Sequence, residues 1–344
     1  MDGLERYSRQ ILFQKIGEAG QRRLLNSRVA IVGAGALGTV IANHLVRAGV
    51  GYIRLIDRDV VERSNLQRQM LFDEVDAQLQ LPKAIAAQNR LKKINSSVTV
   101  DAVVADVNLD NAEIYLTDVD SIVDGTDNFM IRYLINDVAI KFDIPWVHGA
   151  AVSSRGMFAV FKPGHTPCYR CLFPQVPQGT GETCDTVGVL SPLTDIIGSF
   201  QALETMKLLV GLPAETTQNL EQIEIWDLSF LQMDMSQGKN PHCPACVHRQ
   251  FDFLERSSEQ QIVFTTLCGR NTVQVNPRRK HELDLKKAAE KLRRSGRVSG
   301  NEFLLRFSPE QDISIVVFRD ARVLIHGIND VVKAKSLYAK YIGG

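Results

Sequence analysis

Residues 28–56 read RVAIVGAGALGTVIANHLVRAGVGYIRLI. An apolar run (29–32), a glycine-rich turn, a helical stretch and a second apolar run (52–56) follow in order, which makes a βαβ unit. Gly33, Gly35 and Gly38 fall at G-x-G-x-x-G spacing in the turn. Glycines there allow a tight turn and a close approach of backbone to phosphate, and the N-terminus of the following helix offers unsatisfied N–H donors and a favourable dipole. Asp57 ends the second strand, 19 residues past Gly38, where a carboxylate accepts hydrogen bonds from ribose hydroxyls. The pattern points to a nucleotide or dinucleotide and leaves open which one.

The alternation continues outward from this unit. Pro82 precedes KAIAAQNRLKKIN, a helical period, and VTVDAVV has strand character. VDSIVDG, a helix over 128–142 and PWVHGAAV extend the pattern to about residue 152. The expected class is α/β, with a Rossmann-like, mainly parallel sheet covered by helices on both faces. From Gly156 the texture changes to FAVFKPG, a Cys/Pro/Gly-rich stretch, a helix over 192–209 and a strand, QIEIWDL, which predicts an antiparallel extension of the same domain over residues 1–250. The polar segment FDFLERSSEQQ (251–261) reads as a linker. Beyond it, strands at 262–275, 302–307, 313–318 and 322–326 with helices at 283–294 and 329–341 predict a small α+β domain, 262–344. There is no internal repeat and no low-complexity tract.

Composition narrows the function. The 344 residues are 44% hydrophobic and 23% charged, as in ordinary globular proteins. Forty Lys plus Arg against 39 Asp plus Glu leave a formal charge of +1, without the basic footprint that nucleic-acid binding needs. The longest apolar stretch, 29–56, is broken by Asn43, His44, Arg47 and Arg54, so no membrane span is expected. MDGLERYSRQ lacks the apolar core of a secretory signal, which makes the cytoplasm the expected compartment and the six cysteines thiols or metal ligands before disulfides.

Two further constellations carry chemistry. Arg68, in the stretch Asp57-Arg58-Asp59-Val60-Val61-Glu62-Arg63-Ser64-Asn65-Leu66-Gln67-Arg68-Gln69, and Lys83 supply cations for triphosphate oxygens, and Asp127 of DGTDN stands where it could hold Mg²⁺. Hydride transfer needs none of these. The plainer alternatives are solvated surface charges for Arg68 and Lys83 and a helix N-cap for Asp127. Cys168-x-x-Cys171 and, after 71 intervening residues, Cys243-x-x-Cys246 lie in Pro/Gly-containing loops, the pattern of a structural Cys₄ Zn²⁺ site, which fills all four ligand positions and leaves no opening for catalysis. A redox CxxC is the alternative, disfavoured by Pro244 and by there being two pairs. Cys184 follows QGTGET, a loop context for a reactive thiol, against the alternative of a small buried hydrophobe. Cys268 reads as a partly buried strand-edge residue, and His148 as a packed strand-end residue.

Taken in order, RYSRQI, the glycine loop, DxDxVxxSNLxRQ, the Lys after Pro82, DGTDN, CYRC, TCxTxGVLxP and CPAC make residues 5 to about 250 resemble the ThiF/MoeB/HesA family of ubiquitin-activating-enzyme-like adenylyltransferases. The resemblance implies ATP-dependent adenylation of the C-terminal Gly-Gly carboxylate of a ubiquitin-like sulfur-carrier protein, with release of pyrophosphate and later formation of a thiocarboxylate. Carried over by motif position, it places ATP on Gly35, Ala36, Asp57, Ser64, Asn65, Arg68, Lys83, Asp127 and Asn128. Gly33, Gly38, Asp59, Leu66 and Gln67 complete those stretches, and Asp127 would bind Mg²⁺. Arg9 matches an arginine that reaches the γ-phosphate of the neighbouring subunit, implying a homodimer. Cys184 matches a cysteine that in some members takes a covalent carrier adduct or sulfur. Ala36 stands where many relatives have glycine, a difference that tunes nucleotide affinity.

The resemblance further implies a ThiS-like or MoaD-like carrier, serving thiamine thiazole or molybdopterin synthesis, and a cysteine desulfurase or rhodanese-type sulfur donor. Alternatives are a superfamily member acting on tRNA or a peptide, an NAD-binding oxidoreductase, and a non-catalytic scaffold. The C-terminal domain is not a rhodanese on this reading, because Cys268 leads into the β-rich TVQVNP and not into a helix. A docking or dimer-supporting role is expected of it. The terminal Gly343-Gly344 follows a predicted helix without a flexible tail, which argues against self-activation.

Overall fold

A computed structural model of the chain describes residues 3–177, 184–255, 263–267, 271–276, 283–310 and 312–342. The chain divides into two units, Met1–Arg256 and Ser257–Gly344. The first opens with α1 (Ser8–Ile11) and α2 (Gly17–Asn26). It then alternates β1 (Arg28–Val32), α3 (Ala36–Ala48), β2 (Tyr52–Asp57), α4 (Glu74–Leu79), α5 (Lys83–Ile94), β3 (Thr99–Val104), α6 (Ala112–Leu116), β4 (Ser121–Asp124), α7 (Phe129–Phe142) and β5 (Trp146–Val152). There follow β6 (Arg155–Phe161), α8 (Tyr169–Leu172), α9 (Cys184–Val187), α10 (Ser191–Leu209), β7 (Asn219–Glu224) and β8 (Ser229–Asp234).

These strands form one sheet in the order β3-β2-β1-β4-β5-β6-β7-β8. The first five are parallel, and β6, β7 and β8 pair antiparallel, as the α/β reading expected. Alternation along β1 feeds two cores. Val29 and Ile31 pack with Leu37, Ile41 and Leu45 of α3 and Leu193 and Ile197 of α10. Ala30 and Val32 pack with Tyr133, Leu134 and Val138 of α7 on the other face. Burial on both faces is why β1 is apolar from Val29 to Val32.

Three local readings differ from expectation. The strand predicted through Leu228 stops at Glu224, because the Glu224 carboxylate accepts from the Trp226 and Asp227 amides and turns the chain into a hairpin. The returning strand β8 was not expected; every one of its side chains is exposed, so it carries no alternating pattern. The described part of the 251–261 segment is packed chain: Phe251 and Leu254 are buried in the α7-side core, and the Phe253 amide donates to Asp137 Oδ2.

The second unit contains β9 (Val263–Leu267), β10 (Thr272–Asn276), α11 (Leu285–Leu292), β11 (Arg297–Gly300), β12 (Leu304–Glu310), β13 (Ile313–Phe318), β14 (Val323–His326) and α12 (Val331–Tyr341). Its sheet runs β11-β12-β13-β14-β10-β9, and every pair is antiparallel. The single strand expected over 262–275 is two strands, and β11 was not foreseen. Both helices start later than expected, at the Asp284 and Asp330 side chains that cap their first-turn amides. Cys268 and Gly343-Gly344 lie outside the described residues.

Candidate active site

The crevice at the carboxyl edge of the parallel strands is set by topology. Strand order reverses at β1, with β2 on one side and β4 on the other, and ligands bind such sheets at that switch point. The Gly33 amide donates to Ile56 O (2.7 Å) and the Gly125 amide to Val32 O (2.8 Å), so the turns after β1, β2 and β4 converge. Gly33 has φ +97°, and a Cβ there would meet Gly125 O at 2.7 Å. A Cβ on Gly38 would lie 1.8 Å from Gly33 O, so no other residue fits. Gly35, in contrast, faces open space, its nearest neighbour being Gly125 O at 4.0 Å. As N-cap of α3 it offers no side-chain acceptor, which leaves the first-turn amides of α3 for an anion. Ala36 is the first residue of that turn.

The acidic and basic groups beside this turn are held from two elements. Asp57 is buried; its Oδ2 accepts from the Ala34 amide and its Oδ1 from the Asp59 amide, both at 2.7 Å. It therefore braces the glycine turn. Burial pushes its carboxyl above the ordinary carboxylate value, and the Lys83 ammonium opposes that rise. The Lys83 amide donates to Asp59 O and the Val61 amide to Leu81 O, which fastens the start of α5 to the 57–61 segment. Lys83 is consequently 3% exposed, with Nζ donating to Asp59 Oδ2 at 3.4 Å, so the solvated-charge alternative fails for it.

In the 62–68 segment, Asn65 is buried and its Oδ1 accepts from the Glu62 amide, a structural use of that side chain. Leu66 packs against the α3-side core, while Ser64 and Gln67 are exposed. Arg68 is half-buried, and one of its terminal nitrogens donates back to Ser64 O. In the loop after β4, Asp127 is exposed and the cap of α7 is its neighbour Asn128, whose Oδ1 accepts from the Met130 amide. The N-cap alternative for Asp127 is thereby replaced. Hard carboxylate oxygens at this edge are the donors Mg²⁺ takes.

Arg9, on α1, is exposed. Cys184 opens the short helix α9 and is not in a loop, and its side chain lies outside the described residues. His148 sits within β5, fully buried, and its Nδ1 lies 2.8 Å from Asp124 Oδ2. Burial lowers its pKa, so the neutral ring donates from Nδ1 to the carboxylate. Sequence reasoning missed Arg58, Asp106 and Arg132. Arg58 pairs with Asp106 Oδ1 at 3.1 Å, a residue just past β3 whose proximity only the sheet order creates. A cavity of about 1040 Å³ lies at the opposite, amino-terminal edge of the sheet, lined by Arg23, Asp120, Pro145 and Lys162 among others. Its cations are engaged, Arg22 with Glu18, Arg23 with Val210 O, and Lys162 with Pro213 O and Thr216 Oγ1.

The four cysteines of the two CxxC pairs converge, with all sulfurs within 4.8 Å of one another. Sγ···Sγ separations of 3.8 Å (Cys168–Cys171), 3.6 Å (Cys168–Cys243) and 3.5 Å (Cys171–Cys246) are far beyond a disulfide. They match the edge of a ZnS₄ tetrahedron, about 3.8 Å for Zn–S of about 2.3 Å. Each pair forms a knuckle, the Cys171 amide donating to Cys168 O and the Val247 amide to Cys243 O. The Cys168 thiol's hydrogen bond holds Cys171 down to about 5, whereas burial pushes Cys246 up to about 12. Four cysteines this close could together hold a metal ion, and a soft sulfur set of this kind fits Zn²⁺. Among the described residues no helix is long and apolar enough to cross a membrane.

A model described as the ThiF family matches residues 7–245. Sulfur carrier protein ThiS adenylyltransferase of Bacillus subtilis (strain 168) is 44% identical over 339 residues, covering 98% of this chain and 99% of that protein. SAMP-activating enzyme E1 of Haloferax volcanii is 41% identical over 253 residues, 73% of this chain and 92% of that one. Among solved structures, E. coli MccB with ATP superposes with a TM-score of 0.61 at 24% identity, over 70% of this chain and 74% of that chain, a likeness of fold alone. The glycine turn, the DxD segment, the Lys83 helix and the cysteines Cys168, Cys171 and Cys243 fall inside residues 7–245, with Cys246 the next residue, and the chain belongs to the ThiF family.

Proposed function

We propose that the protein is an adenylyltransferase that activates the C-terminal carboxylate of a ubiquitin-like sulfur-carrier protein with ATP. The observation that carries this reading is the buried Lys83 ammonium beside a glycine turn with an uncapped helix N-terminus. The turn and helix end suit phosphoryl oxygens of any nucleotide, and the buried ammonium beside them adds a cation that hydride transfer does not call for. Identity of 44% to a ThiS adenylyltransferase over nearly the full length of both chains supports it.

The chemistry asks for little acid–base catalysis. An oxygen of the carrier's terminal carboxylate attacks the α-phosphorus, the bond from that phosphorus to its bridging oxygen breaks, and pyrophosphate leaves with the electron pair. The barrier lies in charge repulsion and alignment, so cations and positioning do the work. In this reading the α3 amides and Lys83 hold the phosphates, Asp57 takes the ribose, and Arg68 meets the triphosphate. Asp127 holds Mg²⁺, which when bound neutralises triphosphate charge. Arg9 of a second subunit completes the cationic lining, making the active form a homodimer. The Cys₄ cluster carries Zn²⁺ as a structural staple.

Downstream, the terminal sulfur of a persulfide on a cysteine desulfurase or rhodanese-type donor displaces AMP to give an acyl disulfide, and a second thiol cleaves its S–S bond, forming a disulfide and releasing the carrier thiocarboxylate, with Cys184 confined to that step. The carrier is ThiS-like or MoaD-like, the pathway thiamine thiazole or molybdopterin synthesis, and the compartment the cytoplasm. Carrier-dependent exchange of labelled pyrophosphate into ATP tests the proposal: exchange is expected with a Gly-Gly carrier and absent with a carrier lacking its last glycine. Exchange independent of any carrier would refute it.

A further inference from the structure

Beneath the 124–128 loop lies a buried ionic network that the chemistry above does not use. Asp124, the last residue of β4, is fully buried. Its Oδ1 accepts from the Thr126 amide (2.9 Å) and hydroxyl (2.7 Å), and its Oδ2 from Arg132 Nε (3.0 Å) and His148 Nδ1 (2.8 Å). Burial alone would raise the Asp124 carboxyl, but Arg132 and His148 outweigh it and hold the group below the usual carboxylate range. Arg132, 5% exposed on α7, spends a second nitrogen on Thr126 O (2.9 Å) and Gly149 O (3.3 Å), the latter on β5. Gln201 of α10 donates to Asp124 O at 2.7 Å.

An ion pair buried this deeply adds little stability after desolvation, so its geometry is the informative part. The guanidinium grips the loop on both sides of Gly125, at the Asp124 carboxylate and at the Thr126 carbonyl. The next residue is Asp127. Only a planar fork makes these contacts together; a lysine could keep its charge beside Asp124 but not span to the carbonyl. We propose that Arg132 is a positioning residue. It fixes the backbone from Asp124 to Thr126 so that the Asp127 carboxylate is presented to the divalent cation accompanying the triphosphate. This rests on the reading of Asp127 given above.

The test is calorimetric binding of α,β-methylene-ATP with Mg²⁺ and in EDTA, together with the Mg²⁺ dependence of exchange. Arg132→Lys is expected to leave the EDTA affinity unchanged and to weaken the metal-dependent gain about tenfold, as loss of an outer-sphere partner does. The Mg²⁺ needed for half-maximal exchange rises by a similar factor, and excess metal restores part of the rate. In an Asp127→Ala background Arg132→Lys adds nothing. If Arg132→Lys is poorly folded by circular dichroism, Asp124→Asn/Arg132→Met, which buries no unpaired charge, gives the same readout. An unchanged metal dependence in a folded variant, or independent multiplying effects of the two substitutions, overturns the inference. If Asp127→Ala itself leaves the metal-dependent gain intact, the reading of Asp127 fails first and takes this with it.

Discussion

Lys83 is a surface-type residue in sequence and a core residue in space. Only the backbone bonds tying α5 to the 57–61 segment bring it under Asp57 and Asp59, and nothing in KAIAAQNRLKK shows that depth. We expect Lys83→Ala, Arg68→Ala and Asp127→Ala each to lower pyrophosphate exchange about 100-fold or more, the scale of losing one preorganised charge-stabilising group. Cys184→Ala should leave exchange intact and affect at most sulfur delivery. His148 gives a pH test. The unfolded imidazole takes a proton near its ordinary 6.5, whereas the buried ring refuses it, so stability falls as pH drops below that value. One proton difference is worth at most about 1.4 kcal/mol per pH unit. Asp137, pushed up to about 6 by burial, acts in the opposite direction between its unfolded value and about 6, so the comparison must be between variants. Denaturation midpoints of His148→Gln against the parent should show a shallower acid-side decline in the variant. Equal slopes would contradict the assignment.

At the scale of elements, what could be read from the chain follows how each element is buried. β1 was legible because both its faces are covered, and the turn after it because glycine spacing has a steric cause at Gly33 and Gly38. β8 was illegible because it buries nothing, and residues 251–255 misled because Phe251 and Leu254 are anchors set among acids. The Arg58–Asp106 and Arg132–Asp124 pairs were equally hidden: each joins separate elements through sheet order, not sequence spacing. Gly38→Ala tests the turn. With its Cβ 1.8 Å from Gly33 O, either the turn opens or the helix shifts, and we expect a loss of about 1–3 kcal/mol by denaturant unfolding, with nucleotide binding abolished. Retained ATP affinity would show that the close packing does not shape the site.

For the molecule as a whole, the cysteine cluster joins segments 75 residues apart, Cys168 to Cys243, and packs with the α7-side core that underlies the 124–128 loop. Elemental analysis should find one zinc per chain, and Cys243→Ser or strong chelation should lower the melting temperature by several degrees, since metal binding to such a site is folding free energy. A metal-free protein with an unchanged melting curve would speak against the staple. We further propose that the second unit, built on its own antiparallel sheet, assists carrier docking or dimer formation and leaves the adenylation chemistry to the first. Adenylation is read most plainly from the fate of ATP and carrier in one tube. Purified protein, Mg²⁺, ATP and a Gly-Gly carrier should yield pyrophosphate and a carrier whose terminal carboxylate bears AMP by mass spectrometry. ATP left intact, or cleaved to ADP with an unmodified carrier, would contradict it.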